Sequence, residues 1–257
     1  MNFKWWPIRR FVQLSAVVLI ASPLMGLNIF RGNLAGGELF GFSLIDPLAF
    51  LQATVASRIF VAPFLGAALV VAAFYFLLGG RTFCAWVCPV GLITELNDRL
   101  RRSLATGERR LPLSASRWSL VVVIVVSFLA GVPLFEIISP IGMTTRALMF
   151  RDWLTLLMLV SICAVEVAIA RRVWCRSLCP LGGFYSLLGR FSPLRIHFSE
   201  QLCTHCGECT RICPHEEVLL PSLDHDCSHI YSGDCTRCCD CIDICPTKAL
   251  SVHVIYK

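Results

Sequence analysis

Two cysteine runs near the C-terminal end constrain this chain more than any other feature. They comprise Cys203, Cys206, Cys209 and Cys213, and then Cys235, Cys238, Cys241 and Cys245. Each run has the pattern C-x2-C-x2-C-x3-C-P, which is the spacing of bacterial ferredoxins with two clusters. In that pattern the fourth cysteine of each run binds the other cluster. We therefore predict one 4Fe-4S cluster on Cys203, Cys206, Cys209 and Cys245, and a second on Cys235, Cys238, Cys241 and Cys213.

A structural zinc site is the alternative interpretation of these runs. Such a site needs four ligands, usually from two short C-x2-4-C knuckles, and has no use for the third cysteine or the trailing proline. The tandem recurrence favours clusters, and a pair of clusters moves single electrons. Cys227 and Cys239 lie outside the pattern and have no assigned role, and Cys163 is interpreted as a packing residue.

Composition divides the chain into two parts. Hydrophobic residues make up 56% and charged residues 16%, whereas soluble domains carry about 25% charged residues. All six histidines lie at or beyond His197, and ten of the fifteen cysteines lie at or beyond Cys203. We expect a transmembrane domain over residues 1–195 and a small cytoplasmic α+β ferredoxin-like domain over residues 196–257.

Four apolar stretches predict an α-helical membrane protein with four transmembrane helices. They are Phe11–Phe30, Ile59–Leu78, Trp118–Ile138 and Trp153–Ala170. The shorter run Leu44–Ala56 is predicted to be re-entrant or interfacial. The distribution of Lys and Arg between the connections predicts a multi-pass protein of the bacterial inner membrane, in contact with the lipid bilayer, with both termini and the clusters in the cytoplasm. The arginine cluster at 99–110 flanks predicted spans, so we expect no nucleic-acid binding.

A second cysteine motif is duplicated in the apolar part. Cys84 and Cys88 recur as Cys175 and Cys179, 91 residues later, and both pairs read C-x3-C-P. The two units have the same direction, which predicts two parallel repeats whose cysteine pairs face each other. A helix is expected to end or bend at the second cysteine, because the following proline disfavours helix there. The four thiols could bind a metal or a cluster, cycle between dithiol and disulfide, or pack.

The two C-x3-C-P motifs, followed by tandem cluster motifs, resemble the NapH/MauN family of ferredoxin-type proteins over nearly the whole chain. The stretches 29–33 and 44–48 contribute to this similarity. The resemblance implies quinol as substrate and electron transfer, with a NapG-like iron–sulfur partner and a membrane-anchored c-type cytochrome, toward periplasmic nitrate reductase. Two alternatives stay open. One is a FixG-like factor that reduces or delivers copper, and the other is a membrane anchor that holds an iron–sulfur partner without oxidising quinol.

An acid inside the apolar part is the expected proton acceptor for quinol. Glu166 lies within the fourth apolar stretch and is the preferred residue, since buried carboxyl groups in such segments mark functional sites. Glu38, Asp46 and Glu136 are weaker alternatives. No histidine precedes His197, which excludes a haem with two histidine ligands from that part of the chain.

Overall fold

The structure is a computed structural model that describes residues 4–26, 30–32, 35–103, 111–144, 153–168, 171–224 and 227–255. The α-helices are α1 (Trp5–Ala21), α2 (Pro47–Ser57), α3 (Ala62–Leu78), α4 (Thr82–Trp86), α5 (Pro89–Ser103), α6 (Ala115–Ala130), α7 (Leu134–Ile138), α8 (Trp153–Ala168), α9 (Pro180–Arg190), α10 (Glu208–Ile212), α11 (Leu220–Leu223) and α12 (Asp240–Ile244). The strands are β1 (Phe30–Gly32), β2 (Gly36–Leu39), β3 (Phe42–Ile45), β4 (Leu194–Phe198) and β5 (Leu250–Val254).

Helices α1 and α6 end earlier than hydropathy predicts. Helix α1 gives way at Ala21 to a 3-10 turn that contains Pro23 and is closed by Gly26 at φ 74°. Helix α6 ends at Gly131, which has φ 68°, and Pro133 then precedes the separate helix α7. Both endings follow from local chemistry, because proline cannot continue a helix and glycine readily adopts the left-handed conformation of a C-cap.

Within the described residues, α1, α3, α6 and α8 have 17, 17, 16 and 16 residues, or about 25 Å at 1.5 Å per residue. Within the described residues, none of the helices combines the length and apolar character needed to cross a membrane. The prediction of four transmembrane helices in parallel repeats is therefore wrong. The same finding contradicts the predicted multi-pass location in the inner membrane and the orientation that was based on it. Residues 104–110 of the basic cluster lie outside the described residues.

The segment predicted to be re-entrant forms a strand followed by a helix. Strands β1, β2 and β3 make an antiparallel sheet, with Leu39 paired to Phe42 across a tight turn. Phe40 and Gly41 in that turn both have positive φ, as two-residue hairpins require. Asp46 then caps α2, since its Oδ2 accepts the backbone N–H groups of Leu48 and Ala49 at 3.1 Å. Pro47 is suited to the first helical position because its φ is already helical.

One apolar core joins both C-x3-C-P regions to the surrounding helices. Its buried members include Leu48, Phe83, Leu120, Phe135 and Tyr185. Helix α9 packs on both α6 and α3, and α2 packs on α6 and α3 as well. The central position of α9 follows from its small residues, because Gly183 lies against the backbone of Ser116 where a side chain would clash.

The expected small α+β part is present at the C-terminal end. Strands β4 and β5 pair antiparallel from Leu194 with Val254 to Phe198 with Leu250, and α10 packs against α12. A second core contains Ile196, Phe198, Val218 and several motif cysteines. Strand β4 begins before residue 196, and the division of the chain at 195/196 stays a prediction.

Candidate functional site

The two ferredoxin-type motifs adopt the same local structure. The third cysteine of each lies in a five-residue helix, Cys209 in α10 and Cys241 in α12, and the fourth follows the end of that helix. Cys213 and Cys245 both have extended backbone at this point, with ψ 127° and 115°. The prolines that follow explain this geometry, because the residue before proline avoids the helical region. In both motifs the chain therefore leaves the helix at the fourth cysteine.

Thiols from the two motifs meet around one small cavity. Cys213 of the first motif lines it together with Cys235, Cys238 and Cys241 of the second. Burial raises the pKa of Cys213, and the neighbouring Cys238 and Cys235 raise it further. In the first motif burial raises the pKa of Cys209, with Cys203 and Cys206 contributing in the same direction.

Cys245 has different neighbours. Its Sγ accepts the backbone N–H of Ala249 at 3.3 Å and lies 3.7 Å from Oγ1 of Thr247. Although its partial burial acts to raise the pKa, the hydrogen bonds from Thr247 and the adjacent backbone lower it overall. The thiolate of Cys245 is thus stabilised by nearby donors, which suits a metal ligand.

The donor set fits a 4Fe-4S cluster, which is held by four cysteine thiolates. All fifteen cysteines are free thiols. In the part of the chain that the structure describes, no three Cys, His, Asp or Glu side chains converge closely enough to hold a single metal ion. A cluster presents several irons, so its ligands need not converge on one point.

Buried arginines hold the cysteine-rich part against the helices. Arg171 donates from Nη1 and Nη2 to the carbonyls of Cys213 and Ile212 at 3.1 and 3.2 Å. Arg9 donates from Nη1 to the carbonyl of Cys238 at 3.0 Å and to Asp240 at 2.8 Å. Arg81 is fully buried and pairs with Asp234 at 3.0 Å. In the sequence these arginines contribute to the Lys and Arg distribution that predicts orientation, although the position of Arg81 and Arg171 beside the C-x3-C-P motifs also indicates a local role.

The structure brings the four C-x3-C-P cysteines into the same core. Cys88 and Cys179 are buried, and Cys84 and Cys175 pack beside them. The helical turn before the second cysteine ends at Trp86 in one motif and at Leu178 in the other. Burial raises the pKa of all four thiols, in the case of Cys179 to about 12.

Glu166 is buried near this thiol core. Its Oε2 accepts from Asn97 and its Oε1 from the backbone N–H of Trp174, both at 3.3 Å. Burial raises the pKa of Glu166, while these hydrogen bonds and Arg172 oppose the shift. Its negative charge also contributes to the raised pKa of Cys175, which places it next to the second C-x3-C-P motif.

Two apolar cavities lie between α1, α3 and the thiol core. One has a volume of about 390 Å³ and is bounded by α1, the three-stranded sheet, α3 and α9, with Asp46, Tyr75 and Tyr185 as its polar wall residues. The other has about 410 Å³ and reaches Arg237 and Cys239. Phe74, Tyr75 and Val87 line both cavities. Both volumes are typical of sites for small molecules.

Comparison with known proteins identifies cluster-binding domains. A family model described as a 4Fe-4S binding domain matches the chain twice, at residues 60–106 and 152–199, and a second model with the same description matches residues 195–219. The first two segments contain the C-x3-C-P motifs, for which cluster binding is one of the roles that the sequence leaves open. The second ferredoxin-type motif lies beyond the matched residues. These matches support iron–sulfur clusters as cofactors.

Several ferredoxin-type proteins are similar over most of their length. The methylamine utilization ferredoxin-type protein MauN of Paracoccus denitrificans is 37% identical over 90% of this chain and 83% of its own. The ferredoxin-type protein NapH of Haemophilus influenzae is 32% identical over 86% of this chain and 81% of its own. NapH of Escherichia coli is 30% identical over 87% and 79%. No solved structure matches the chain. The chain therefore belongs to the NapH/MauN family of ferredoxin-type electron-transport proteins.

Proposed function

We propose that this chain oxidises a hydroquinone and passes the electrons singly to a partner iron–sulfur protein. The observation that carries this proposal is the cavity shared by thiols of both ferredoxin-type motifs, with Cys213 beside Cys235, Cys238 and Cys241. That grouping matches the cross-ligation of two-cluster ferredoxins, in which the fourth cysteine of one run serves the other cluster.

In this proposal Cys213, Cys235, Cys238 and Cys241 hold one cluster, and Cys203, Cys206, Cys209 and Cys245 hold the other. When bound, the clusters supply one-electron transfer at closely spaced centres. The protein shields the two sets of ligands differently. Cys235 and Cys241 are buried, whereas Cys206 of the first motif is exposed, as is Leu202 just before that motif. The first motif therefore offers the surface at which a partner can dock, and the second faces the interior cavities.

The cluster assignment predicts a specific iron content. Protein purified without oxygen should contain about eight irons per chain, and reduced samples should show two magnetically coupled centres by EPR. Cys235→Ser should remove one cluster and lower the iron content by about half. Cys163→Ser, which changes a cysteine outside every motif, is the matched control and should retain both signals. Stoichiometric zinc without iron would contradict the assignment.

We further propose that the four C-x3-C-P thiols act as one unit in electron transfer. Their shared core supports this. Burial raises the pKa of Cys84, and the nearby Arg81 opposes that shift while Asp46 adds to it. Cys84→Ala and Cys175→Ala should each slow reduction of the clusters by hydroquinone while iron content stays unchanged. The double variant should be no slower than the slower single variant, since residues that act together are non-additive. Parent rates in the quadruple alanine variant would leave these thiols a packing role.

Similarity to the NapH relatives supports a role in electron delivery toward nitrate reductase with a NapG-like partner. A c-type cytochrome would be a further carrier in that electron-transfer pathway. A second candidate is electron transfer in methylamine utilization, because the MauN relatives are 36–37% identical and the NapH relatives 30–32%. Deletion of the gene, followed by growth on methylamine as nitrogen source and by nitrate reduction assays, distinguishes the two. A role in methylamine utilization predicts that the deletion strain loses growth on methylamine, and a role in nitrate reduction predicts that it loses nitrate reduction.

Reduction of the isolated protein separates this proposal from its rivals. Duroquinol, a small hydroquinone, should reduce the clusters of the purified chain, and the EPR signals of the reduced centres measure the extent. Clusters that dithionite reduces but duroquinol does not would support a docking role without hydroquinone oxidation. Reduction of Cu(II) that depends on the C-x3-C-P cysteines would instead support a copper-handling factor.

A further inference from the structure

The cavity of about 390 Å³ has one polar end in an otherwise apolar wall. Asp46 lies at that end, where its Oδ1 accepts the phenolic hydroxyl of Tyr185 at 2.9 Å. The ring of Tyr75 lies 5.1 Å from that of Tyr185, centre to centre. An apolar slot with a few convergent polar groups is the usual form of a site for an aromatic ligand. The carboxyl of Asp46 is within reach of a ligand hydroxyl in this slot.

The surroundings of Asp46 make its carboxylate a base. Burial raises its pKa to about 6, although the hydrogen bonds from Tyr185 and the backbone of Ala49 and Leu48 favour the ionised form. The titratable side chains that face it are Tyr75 from α3, Cys84 from α4 and Tyr185 from α9, together with Glu136 from α7 across a small cavity. At pH 7 this carboxylate is mostly ionised, and it takes up a proton more readily than a solvated aspartate.

Asp46 also borders a second, smaller cavity on its other side. That cavity has about 20 Å³ and is lined by Glu136 and Ser139 as well as Asp46. A volume of this size holds about one water molecule, provided that polar partners surround it. The three side chains supply such partners. Glu136 is only half-buried, so this path leads from Asp46 toward the surface.

We propose that the larger cavity binds the hydroquinone and that Asp46 is the catalytic base that accepts its protons. This inference rests on the proposed function. Tyr185 is a positioning residue that orients the carboxylate, and Glu136 with the small cavity carries protons away. Oδ2 of Asp46 accepts the backbone N–H groups at the start of α2, whereas Oδ1 accepts the hydroxyl of Tyr185 in α9, 139 residues away. Capping the helix requires only Oδ2.

The reaction balances with the groups named. Oxidation of one hydroquinone breaks two O–H bonds, forms the quinone and releases two electrons and two protons. Asp46 takes each proton in turn and discharges the first through the small cavity before accepting the second. The two iron–sulfur clusters of the proposed function are the oxidants, and each accepts one electron.

The positions of the cavities support this direction of transfer. Phe74, Tyr75 and Val87 form a shared wall between the hydroquinone cavity and its neighbour of about 410 Å³. Ile196 and Cys239 line both that neighbour and the cavity formed by Cys213, Cys235, Cys238 and Cys241. An uninterrupted series of side chains therefore leads from Asp46 to the second ferredoxin-type motif.

The test compares Asp46→Asn with Glu38→Gln in the full holoprotein. Asparagine keeps the size of the side chain and can still cap α2, and Glu38 is an exposed acid on the neighbouring strand β2. Reduction of the clusters by duroquinol should slow about 100-fold in Asp46→Asn, a typical loss when a general base is removed. Reduction by dithionite should be unchanged, and Glu38→Gln should match the parent.

The pH profile adds a readout that a structural role would not change. In the parent, the rate with duroquinol should rise as the pH increases through about 6, where Asp46 ionises. Asp46→Asn should lose this rise. Tyr185→Phe should move it to higher pH, because the lost hydrogen bond favoured the ionised carboxylate.

Binding without turnover tests the cavity itself. Duroquinone should quench tryptophan and tyrosine fluorescence of the parent and of Asp46→Asn alike, and Val71→Phe, which fills the cavity wall, should weaken binding at least tenfold. Equal binding by Val71→Phe would place the ligand elsewhere.

A parent rate and an unchanged pH profile in Asp46→Asn would overturn the role of Asp46, and a slow Glu166→Gln would then assign the base to Glu166. A parent that dithionite reduces but duroquinol does not would instead overturn the proposed function.

Discussion

At the scale of single residues, buried arginines make the hydrogen bonds and ion pairs that connect the helices to the cysteine-rich part. Arg81, Arg9 and Arg176 are almost wholly buried, and each has an acidic partner in the C-terminal part. Arg176 also donates to the carbonyl of Pro214 at 2.9 Å. Such pairs add little net stability, but losing one partner leaves an uncompensated buried charge.

Arg81→Met should therefore lower the free energy of unfolding by about 3–5 kcal/mol, because Asp234 would keep its charge without a partner. The measurement is urea unfolding of the holoprotein, followed by the visible absorbance of the clusters. Arg211→Met is the matched control. Arg211 pairs with Glu208 at 3.5 Å on the surface, and its loss should cost less than about 1 kcal/mol. Similar losses in both variants would contradict this account of Arg81.

At the scale of secondary-structure elements, glycines let three backbones approach closely. A Cβ on Gly189 of α9 would lie 2.7 Å from the carbonyl oxygen of Gly79, after α3, and 3.1 Å from that of Gly233, in the loop before Cys235. Gly80 has φ 68° and faces the carbonyl of Tyr185. The neighbouring elements are fixed by main-chain contact, so they cannot move apart without loss of packing.

Gly189→Ala should lower the midpoint of thermal unfolding, since overpacking of this kind costs about 1–3 kcal/mol. Gly66→Ala is the control within α3, where no atom lies within 4 Å of the added Cβ. That variant should be neutral or slightly stabilising, because alanine favours helix over glycine. Calorimetry that found both variants equally stable would show that the approach near Gly189 relaxes without cost.

At the scale of the whole molecule, the sequence predicts the features that depend on the spacing of motif cysteines. It does not predict helix ends or contacts between residues that are far apart in the chain. The duplicated C-x3-C-P motifs together with the tandem cluster motifs predict the family that the relatives confirm. Two of the predicted transmembrane stretches include Gly26 and Gly131, whose left-handed backbone conformations follow the helix ends. Hydropathy does not detect these ends, so it predicts spans that the described residues lack. Glu166 ranks above Asp46 in the sequence because it lies within an apolar stretch, whereas the hydrogen bond between Asp46 and Tyr185 joins residues that are 139 positions apart. No local pattern reports that contact.

The buried carboxyl of Asp46 should also influence global stability. Its pKa is raised from an ordinary value of 3.8 to about 6, so the folded chain binds the proton more strongly than the unfolded chain. Its contribution to stability is therefore fully present below pH 4 and is lost as the pH rises through about 6. The change is about 3 kcal/mol. Urea unfolding between pH 4 and 8 should show that difference between the parent and Asp46→Asn, and parallel curves would contradict it.

Burial of Cys235 and Cys241, at 8% and 6% exposure, has a consequence for how the protein matures. Among the described residues, these two thiols have little contact with solvent. We therefore expect the second motif to take up iron and sulfide more readily before the contacts of Arg9, Arg81 and Arg171 fasten the cysteine-rich part to the helices. An apoprotein that has already folded would then load this motif slowly.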